Sequence, residues 1–532
     1  MDPKTTIETG QAVMGLEFGS TRIKAVLVDR NYNPIAQGDH EWENQLVNGL
    51  WTYSIDAIWN GLQDCYSSLR KDVLNRYGIE IESLSAIGIS AMMHGYLPFD
   101  SAGKLLAPFR TWRNTNTGAA AKVLSDLFNF NMPLRWSLSH LYQCILDKEE
   151  HVGKIDFLTT LSGYIHWCLT GRKVLGVGDA SGMMPIDPET CDFDEKRIEA
   201  FDRLVEPEGL PWKLRGILPE VLNAGETAGF LTKEGAVRLD PSGHLKAGIP
   251  LCPPEGDAGT GMVATNAVRP RTGNVSAGTS SFSMIVLEKD MKHPHDVIDI
   301  ITTPDGSPVA MTHCNNCTTD LNAWVNIFIE YQKLLGFDVD KGDIYGKLFT
   351  HALDGDPDCG GLLNYNYIAG EHVTGFTEGR PLFVRSATSK FNLANFMLSQ
   401  LYATVGVLKT GNEILFKEEN VEVDRITAHG GLFKTPVVGQ KVLAAALGSP
   451  ISVMETAGEG GPWGMALLAS YCVGNSEGLS LADYLDQRVF AGNTGTKISP
   501  TEADIAGFDA WFAEYTDCLP VERAAVEYKK RN

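Results

Sequence analysis

"AVMGLEFGSTRIKAVLVD", residues 12–29, is the stretch on which the reading of this chain turns. Two apolar, strand-like runs flank Gly19, Ser20 and Thr21, which predicts a hairpin closed by a tight turn. The first run carries Glu17, an acidic side chain where a buried strand is normally apolar. The pattern returns in "GNVSAGTSSFSMIVLE", residues 273–288, where Gly278-Thr279-Ser280 falls on Gly19-Ser20-Thr21. Glycine lets another backbone or a ligand approach closely, and the hydroxyl and N–H groups of such a turn can point at a phosphate. One copy is an ordinary β-turn. Two copies, each opening one half of the chain, predict duplicated domains facing a shared cleft.

The 532 residues exceed one ordinary core and suggest two large domains. A net charge of −21 argues against nucleic acid as a partner, because phosphate neutralisation draws on clustered Lys and Arg. The opening "MDPKTTIETGQ" lacks the basic-then-apolar pattern of a signal peptide, and no run reaches the roughly 18 apolar residues that span a bilayer. Ten cysteines, mostly isolated, fit a reducing compartment, so a cytoplasmic location with no membrane partner is expected. The one close pair, Cys314 and Cys317, lacks the other ligands of a metal site and reads as packing or helix-start residues.

Further along, strands alternate with helices, the mark of an α/β layered fold. "PIAQGDHEW" reads as a third strand, "SIDAIWNGLQDCYSSLRKDVLNRYG" as a helix from a Ser N-cap to Gly78, and "LSAIGISAM" as a buried strand. Between the halves, Pro250, Pro253 and Pro254 interrupt regular structure and "GDAGTGM" starts a helix, placing Asp257 near its N-terminus. On local context alone, Asp257 is equally well an N-cap residue. "DRITAHGGLF" ends a strand on glycines, where a nucleotide can rest on exposed N–H groups. "EADIAGFDAWFAEYTDCL" puts Ile505, Phe508, Trp511, Phe512 and Tyr515 on one face, as in a packed terminal helix.

P-loop, GxGxxG, HExxH, GxSxG and protein-kinase signatures are absent. What remains suits phosphoryl transfer, which needs N–H groups around phosphates, carboxylates for a metal and a base for the attacking hydroxyl. From about Met14 to Ala469 the chain resembles the FGGY carbohydrate kinases of the sugar kinase, Hsp70 and actin superfamily. "GLEFGSTRIKAVLVD" and "VSAGTSSF" resemble the family's two phosphate hairpins, and "AIGISAMMHGYLPFD" its xylulokinase-like sugar segment. "RTWRNTNT" is similar to the Trp-containing sugar contact, "PPEGDAGTGM" to the loop with the catalytic base, and "NYIAGEH" to a Gly-Glu turn. "AHGGLFK" resembles the adenosine-side turn, and "GEGGPWGMALLA" the glycine-rich helix start.

The resemblance implies two ribonuclease H-like (actin-like ATPase) domains facing a central cleft. The expected division is 12–266 on the sugar side, 267–480 on the nucleotide side, and a C-terminal extension over 481–532 with a packed helix. It implies Asp257 as general base, with Met93, His94, Gly95, Trp112, Asn114 and Asp257 around the sugar. ATP would lie against Gly19, Ser20, Thr21, Gly278, Thr279, Gly430, Gly431 and Lys434, and Mg²⁺ would meet Glu17 and Asp257. Glu17 stands where the family normally has Asp. The implied reaction is phosphorylation of a ketose, most simply xylulose, by a chain that can form a homodimer. Two departures bear on the sugar: Ala258 follows the base where xylulokinases usually have Asn, and Trp112-Arg113-Asn114 replaces Trp-Asn-Asp. Other ketose or polyol acceptors, namely ribulose, a deoxyhexulose, gluconate or glycerol, and a non-catalytic nucleotide- and sugar-binding protein on the same fold are the alternatives.

Overall fold

The computed structural model describes residues 2–338, 340–454, 460–492 and 495–530. The chain forms two compact units, each discontinuous in sequence. Met1–Arg269, Asp299–Val309 and Glu459–Ala491 make the first; Pro270–Ile298, Ala310–Gly458 and Gly492–Asn532 make the second.

In the first unit, strands Val13–Phe18 and Arg22–Val28 pair antiparallel from Val13↔Val28 to Phe18↔Ile23, and Pro34–Glu41 pairs with the second of them. Strand Ala86–Ala91, buried at every position, pairs parallel with Val13–Phe18 on the other side. Helix Ile55–Tyr77 covers one face of this sheet. The Ser54 hydroxyl accepts from Ala57 N–H at its start, and Gly78 (φ 69°) ends it in the left-handed conformation. Ile58, Leu62, Cys65, Leu69 and Val73 point from that helix into a core shared with Leu16, Phe18, Ile23, Ile87 and Ile89.

The second unit repeats the connectivity. Thr272–Ala277 and Ser281–Val286 pair antiparallel, and Arg425–His429 pairs parallel with Thr272–Ala277, with Ser276 opposite His429. Within its seven-stranded sheet, neighbouring strands follow the order Pro308–Cys314, Ser281–Val286, Thr272–Ala277, Arg425–His429, Ile451–Val453, Thr496–Ile498. In both units, therefore, the hairpin strand that opens the unit has an antiparallel partner on one side and a parallel one on the other. The echo between residues 12–29 and 273–288 is an echo of whole sheets. Helix Leu393–Glu413, capped by Asn392, is buried on nearly all faces, as a central helix of a large core must be. Helix Glu502–Asp517 buries Phe508, Trp511 and Tyr515, and Trp511 Nε1–H donates to Leu362 O at 3.1 Å.

The division expected from sequence at 267–480 and 481–532 follows chain order, whereas the packing groups the chain into the two discontinuous units. Helix Gly460–Gly474 joins the first unit, not the second. It is apolar all round, with Trp463, Met465, Leu467 and Leu468 buried, and Trp463 Nε1–H donates to Tyr32 O at 2.8 Å. A helix without a polar face is stable only where it is enclosed, and the sheet of the first unit provides that. Likewise 481–491 packs with the first unit and Gly492–Asn532 with the second. Of the glycine-rich segment "GEGGPWGMALLA", Gly458 and Glu459 lie outside the described residues.

Candidate functional site

Asp257 is the first residue of helix Asp257–Ala264; the N-cap is Gly256, so Asp257 is not the N-cap. Its Oδ1 accepts the backbone N–H of Met93 at 3.1 Å, tying the helix start to the segment that follows strand Ala86–Ala91. The side chain is solvent-exposed on one side. Desolvation by the surrounding protein nevertheless raises its pKa, against the N–H groups of Met93 and Ala258, which favour the anion.

Glu17 shares the same space. Burial, then repulsion from Asp257, push its carboxyl up to about 7, while Lys24, its register partner on the hairpin, opposes the shift. Its carboxylate lies against Gly461, in the first turn of helix Gly460–Gly474, where a Cβ would overlap Oε1. A helix N-terminus favours an anion, and glycine there leaves it room. The acidic residue in an apolar strand therefore has room at Gly461, while burial and Asp257 still disfavour its charge.

The hairpin turn is braced by aromatic residues. Trp112 Nε1–H donates to Ser20 Oγ at 3.0 Å, Trp42 Nε1–H to Gly19 O at 2.7 Å, and Tyr53 O–H to Ser20 O at 2.5 Å. Trp42 stacks on Tyr53 with centroids 4.1 Å apart. Thr21 is exposed. Met93 and His94 are buried. His94 adopts φ 67°, a strained conformation for a non-glycine residue of the kind concentrated at functional sites, and Gly95 follows at φ 104°, which glycine adopts freely. His94 Nδ1 lies 3.1 Å from Gly182 O; facing a carbonyl it must carry the proton, so in the neutral ring Nε2 holds the lone pair.

Asn114 is tied to the backbone around it. Its Oδ1 accepts Trp51 N–H at 2.9 Å, and its Nδ2 donates to Trp51 O at 2.8 Å and Thr111 O at 3.0 Å. Both ends of the amide are committed to backbone, so Asn114 shapes the turn that presents Trp112. Arg113 stacks on Trp51, 3.7 Å from its ring centroid.

Two buried acids behind Asp257 escaped the sequence reading. Glu255 accepts the N–H groups of Gly178 at 3.4 Å and Asp179 at 3.0 Å; Asp179 in turn accepts the hydroxyls of Thr160, at 2.6 Å, and Ser162. Burial, opposed by those hydroxyls, pushes Asp179 up to about 7. Burial and then Asp179 raise Glu255 well above the carboxylate range.

In the second unit, Gly278 N–H donates to Ser280 O at 2.9 Å, closing the second turn with Thr279 exposed at its tip. Gly430 ends the neighbouring strand at φ 106°, and a Cβ there would run into the backbone of Ala277. The need for glycine at 430 is therefore met inside the protein, between two adjacent strand ends. At Gly278 and Gly431 an added Cβ would meet open space. Lys434 is exposed at the end of the short turn Gly431–Lys434. Gly430→Ala should destabilise the protein by about 1–3 kcal/mol through strain alone, read by thermal melting without ligands. An unchanged melting temperature would remove the backbone explanation.

Two family models match the chain: the N-terminal domain of the FGGY family of carbohydrate kinases over residues 12–263 and the C-terminal domain over residues 273–473. The chain belongs to the FGGY family of carbohydrate kinases. A xylulose kinase of Lactococcus lactis is 20% identical over 97% of this chain and 99% of its own length. A glycerol kinase of Thermococcus gammatolerans is 26% identical over 54% of this chain, which spans 57% of that relative's length. The ligand-bound xylulose kinase and the gluconate kinase of Lactobacillus acidophilus each superpose with a TM-score of 0.78 at 17% identity, covering 98% of this chain and all of theirs. The fold is thus the two-domain α/β fold of the FGGY kinases, of the actin-like ATPase type.

In this FGGY kinase, Glu17 and Asp257 offer carboxylate oxygens that suit a hard cation, and a divalent ion there would relieve their mutual repulsion. A second cluster, Cys144, Glu149 and His151, has ligand-type side chains but a cation already among them. Arg110 donates to Cys144 Sγ at 3.0 Å and to both Glu149 oxygens at 2.8 and 2.6 Å. Cys314 and Cys317 are buried free thiols, Cys317 at the N-cap of helix Thr318–Leu334, matching the packing and helix-start reading. Among the described residues no helix is long and apolar enough to cross a membrane.

Proposed function

We propose that this FGGY kinase transfers the γ-phosphate of ATP to a hydroxyl of a ketose, most simply xylulose, with Asp257 as general base. The observation that carries the reading is Asp257 itself: an exposed carboxylate at a helix start, anchored through Oδ1 to Met93 N–H, beside Glu17 on the first hairpin. Glu17 and Asp257 would hold Mg²⁺, which when bound would offset phosphate charge. Asp257 accepts the proton of the sugar hydroxyl as its oxygen bonds to phosphorus and the bond to the bridging β-phosphate oxygen breaks, releasing ADP. Trp112 walls the sugar, with Met93, His94 and Gly95 beside it. In the first unit the turn at 19–21, and in the second the turn at 278–279 with Gly430, Gly431 and Lys434, are each assigned to nucleotide contacts. His94, held through Nδ1 to Gly182 O, stands in this sugar-side segment.

A different acceptor, another ketose or a polyol, is favoured by one feature: Asn114 faces backbone and Arg113 is stacked on Trp51, so neither reproduces the carboxylate of the xylulokinase Trp-Asn-Asp segment. Coupled ADP-release assays over pentuloses, hexuloses, aldonates and polyols, with analysis of the phosphorylated position, decide between them. Turnover is expected with at least one ketose. No sugar-stimulated ADP release across the panel would overturn the kinase reading.

A further inference from the structure

Glu371 lies in the Gly-Glu turn of the second unit, fully buried, and has no part in the reading above. Its Oε2 accepts three hydrogen bonds: from the backbone N–H of Asn315 at 2.9 Å, the backbone N–H of Asn316 at 3.2 Å, and Asn316 Nδ2 at 3.0 Å. The same two stretches are joined again where Ala369 N–H donates to Asn316 Oδ1 at 2.9 Å and Asn315 Nδ2 donates to Gly370 O at 2.8 Å. His372 Nδ1 lies 3.7 Å from its Oε1.

The segment that Glu371 holds continues to Cys317 and Thr318, which grip the second hairpin turn through hydrogen bonds. Cys317 N–H donates to Thr279 O at 3.0 Å, and Thr318 donates to Gly278 O twice, from its N–H at 3.0 Å and its hydroxyl at 2.7 Å. A peptide unit is planar and trans, so its carbonyl and the next N–H point in opposite directions within one rigid plane. Fixing Gly278 O therefore fixes the direction of Thr279 N–H, and fixing Thr279 O does the same for Ser280 N–H. A turn that recognises phosphate does so with those N–H groups.

We propose that Glu371 is a positioning residue for nucleotide phosphates: through Asn315–Thr318 it locks the peptide planes that aim the Thr279 and Ser280 N–H groups. This rests on reading the 278–280 turn as a phosphate site. The ligand class is a nucleoside triphosphate, and the grip falls on its terminal phosphates, so AMP should be blind to the change.

The test is calorimetric titration of the full chain with ATP and with AMP. Glu371→Ala should weaken ATP by about tenfold while AMP and the sugar KM move less than about twofold. Glu371→Gln should restore most of the ATP affinity, since its amide oxygen can accept the same three N–H groups. Thr318→Val, isosteric and lacking only the hydroxyl bond to Gly278 O, should show the same ATP-selective loss at smaller size, and carries the test if Glu371→Ala does not fold. Thr279→Pro deletes one of the aimed N–H groups. If it leaves the ATP-over-AMP preference intact, the phosphate reading of the turn fails and this inference falls with it. If it abolishes the preference while Glu371→Ala and Thr318→Val weaken ATP and AMP equally, or neither, the positioning role of Glu371 alone is overturned.

Discussion

Asp257→Ala is expected to lower kcat by about a thousandfold, the middle of the range for losing a general base, while ATP affinity changes by less than about twofold. The carboxylate has two jobs that a single substitution would confuse: it accepts a proton, and its Oδ1 holds Met93 N–H and so the start of the sugar-side segment. Asp257→Asn separates them. The amide oxygen can still accept the Met93 N–H but cannot take the hydroxyl proton, so Asn should be nearly as slow as Ala while melting close to the wild type. Because the Asp257 pKa is raised, kcat/KM of the wild type should fall with acidification sooner than an ordinary aspartate would dictate, since the protonated form cannot act as a base. An Asp257→Asn enzyme with near wild-type turnover would make Asp257 a structural carboxylate.

The features legible in the sequence are those carried by neighbours in the chain. The two hairpins are local: a glycine-hydroxyl turn between alternating apolar runs forces Val13–Phe18 onto Arg22–Val28 and Thr272–Ala277 onto Ser281–Val286. Helix Ile55–Tyr77 announces both its ends through Ser54 and Gly78. The strand before the Met-His-Gly segment is a run of small apolar residues that only a buried strand explains.

What the sequence hid depends on distant contacts or on how a side chain is used. Asn114 has the right residue type for a sugar ligand, yet the backbone of Trp51 claims its amide. Gly430 is glycine because Ala277 lies beside it, a packing demand that looks identical in sequence to a demand made by a nucleotide. Glu255 and Asp179 meet across distant segments, and nothing near either one signals a buried acid pair. Trp42 and Tyr53 brace the first turn from the segments that follow the third strand, where aromatic residues read only as core. The packing of helix Gly460–Gly474 with the first unit is hidden for the same reason: its apolar surface says that it is buried, but not in which unit.

Glu17→Gln should make the protein more stable and less active, and that opposition identifies the role of the charge. In the unfolded chain Glu17 ionises near 4.5, whereas in the folded one burial and Asp257 push it to about 7. Below pH 4.5 both states are protonated and the variant gains nothing. Between 4.5 and about 7 the unfolded state releases its proton while the folded state keeps it, so wild-type stability falls as pH rises. Above 7 the full cost remains, at most about 3 kcal/mol. Melting temperatures should therefore coincide at acid pH and separate in favour of Glu17→Gln at pH 8. A residue kept at that cost is doing something stability does not reward. If the task is to meet Mg²⁺, added Mg²⁺ should stabilise the wild type and not the variant, Glu17→Asp should keep substantial activity, and Glu17→Ala should lose most of it. Asp257→Asn should also lower the Glu17 pKa by removing its charged neighbour, visible as a narrower stability gap between that variant and its Glu17→Gln double at pH 8. Equal stabilisation of wild type and Glu17→Gln by Mg²⁺, with full activity of Glu17→Ala at low Mg²⁺, would leave Glu17 as an anion seated on the turn at Gly461 and nothing more.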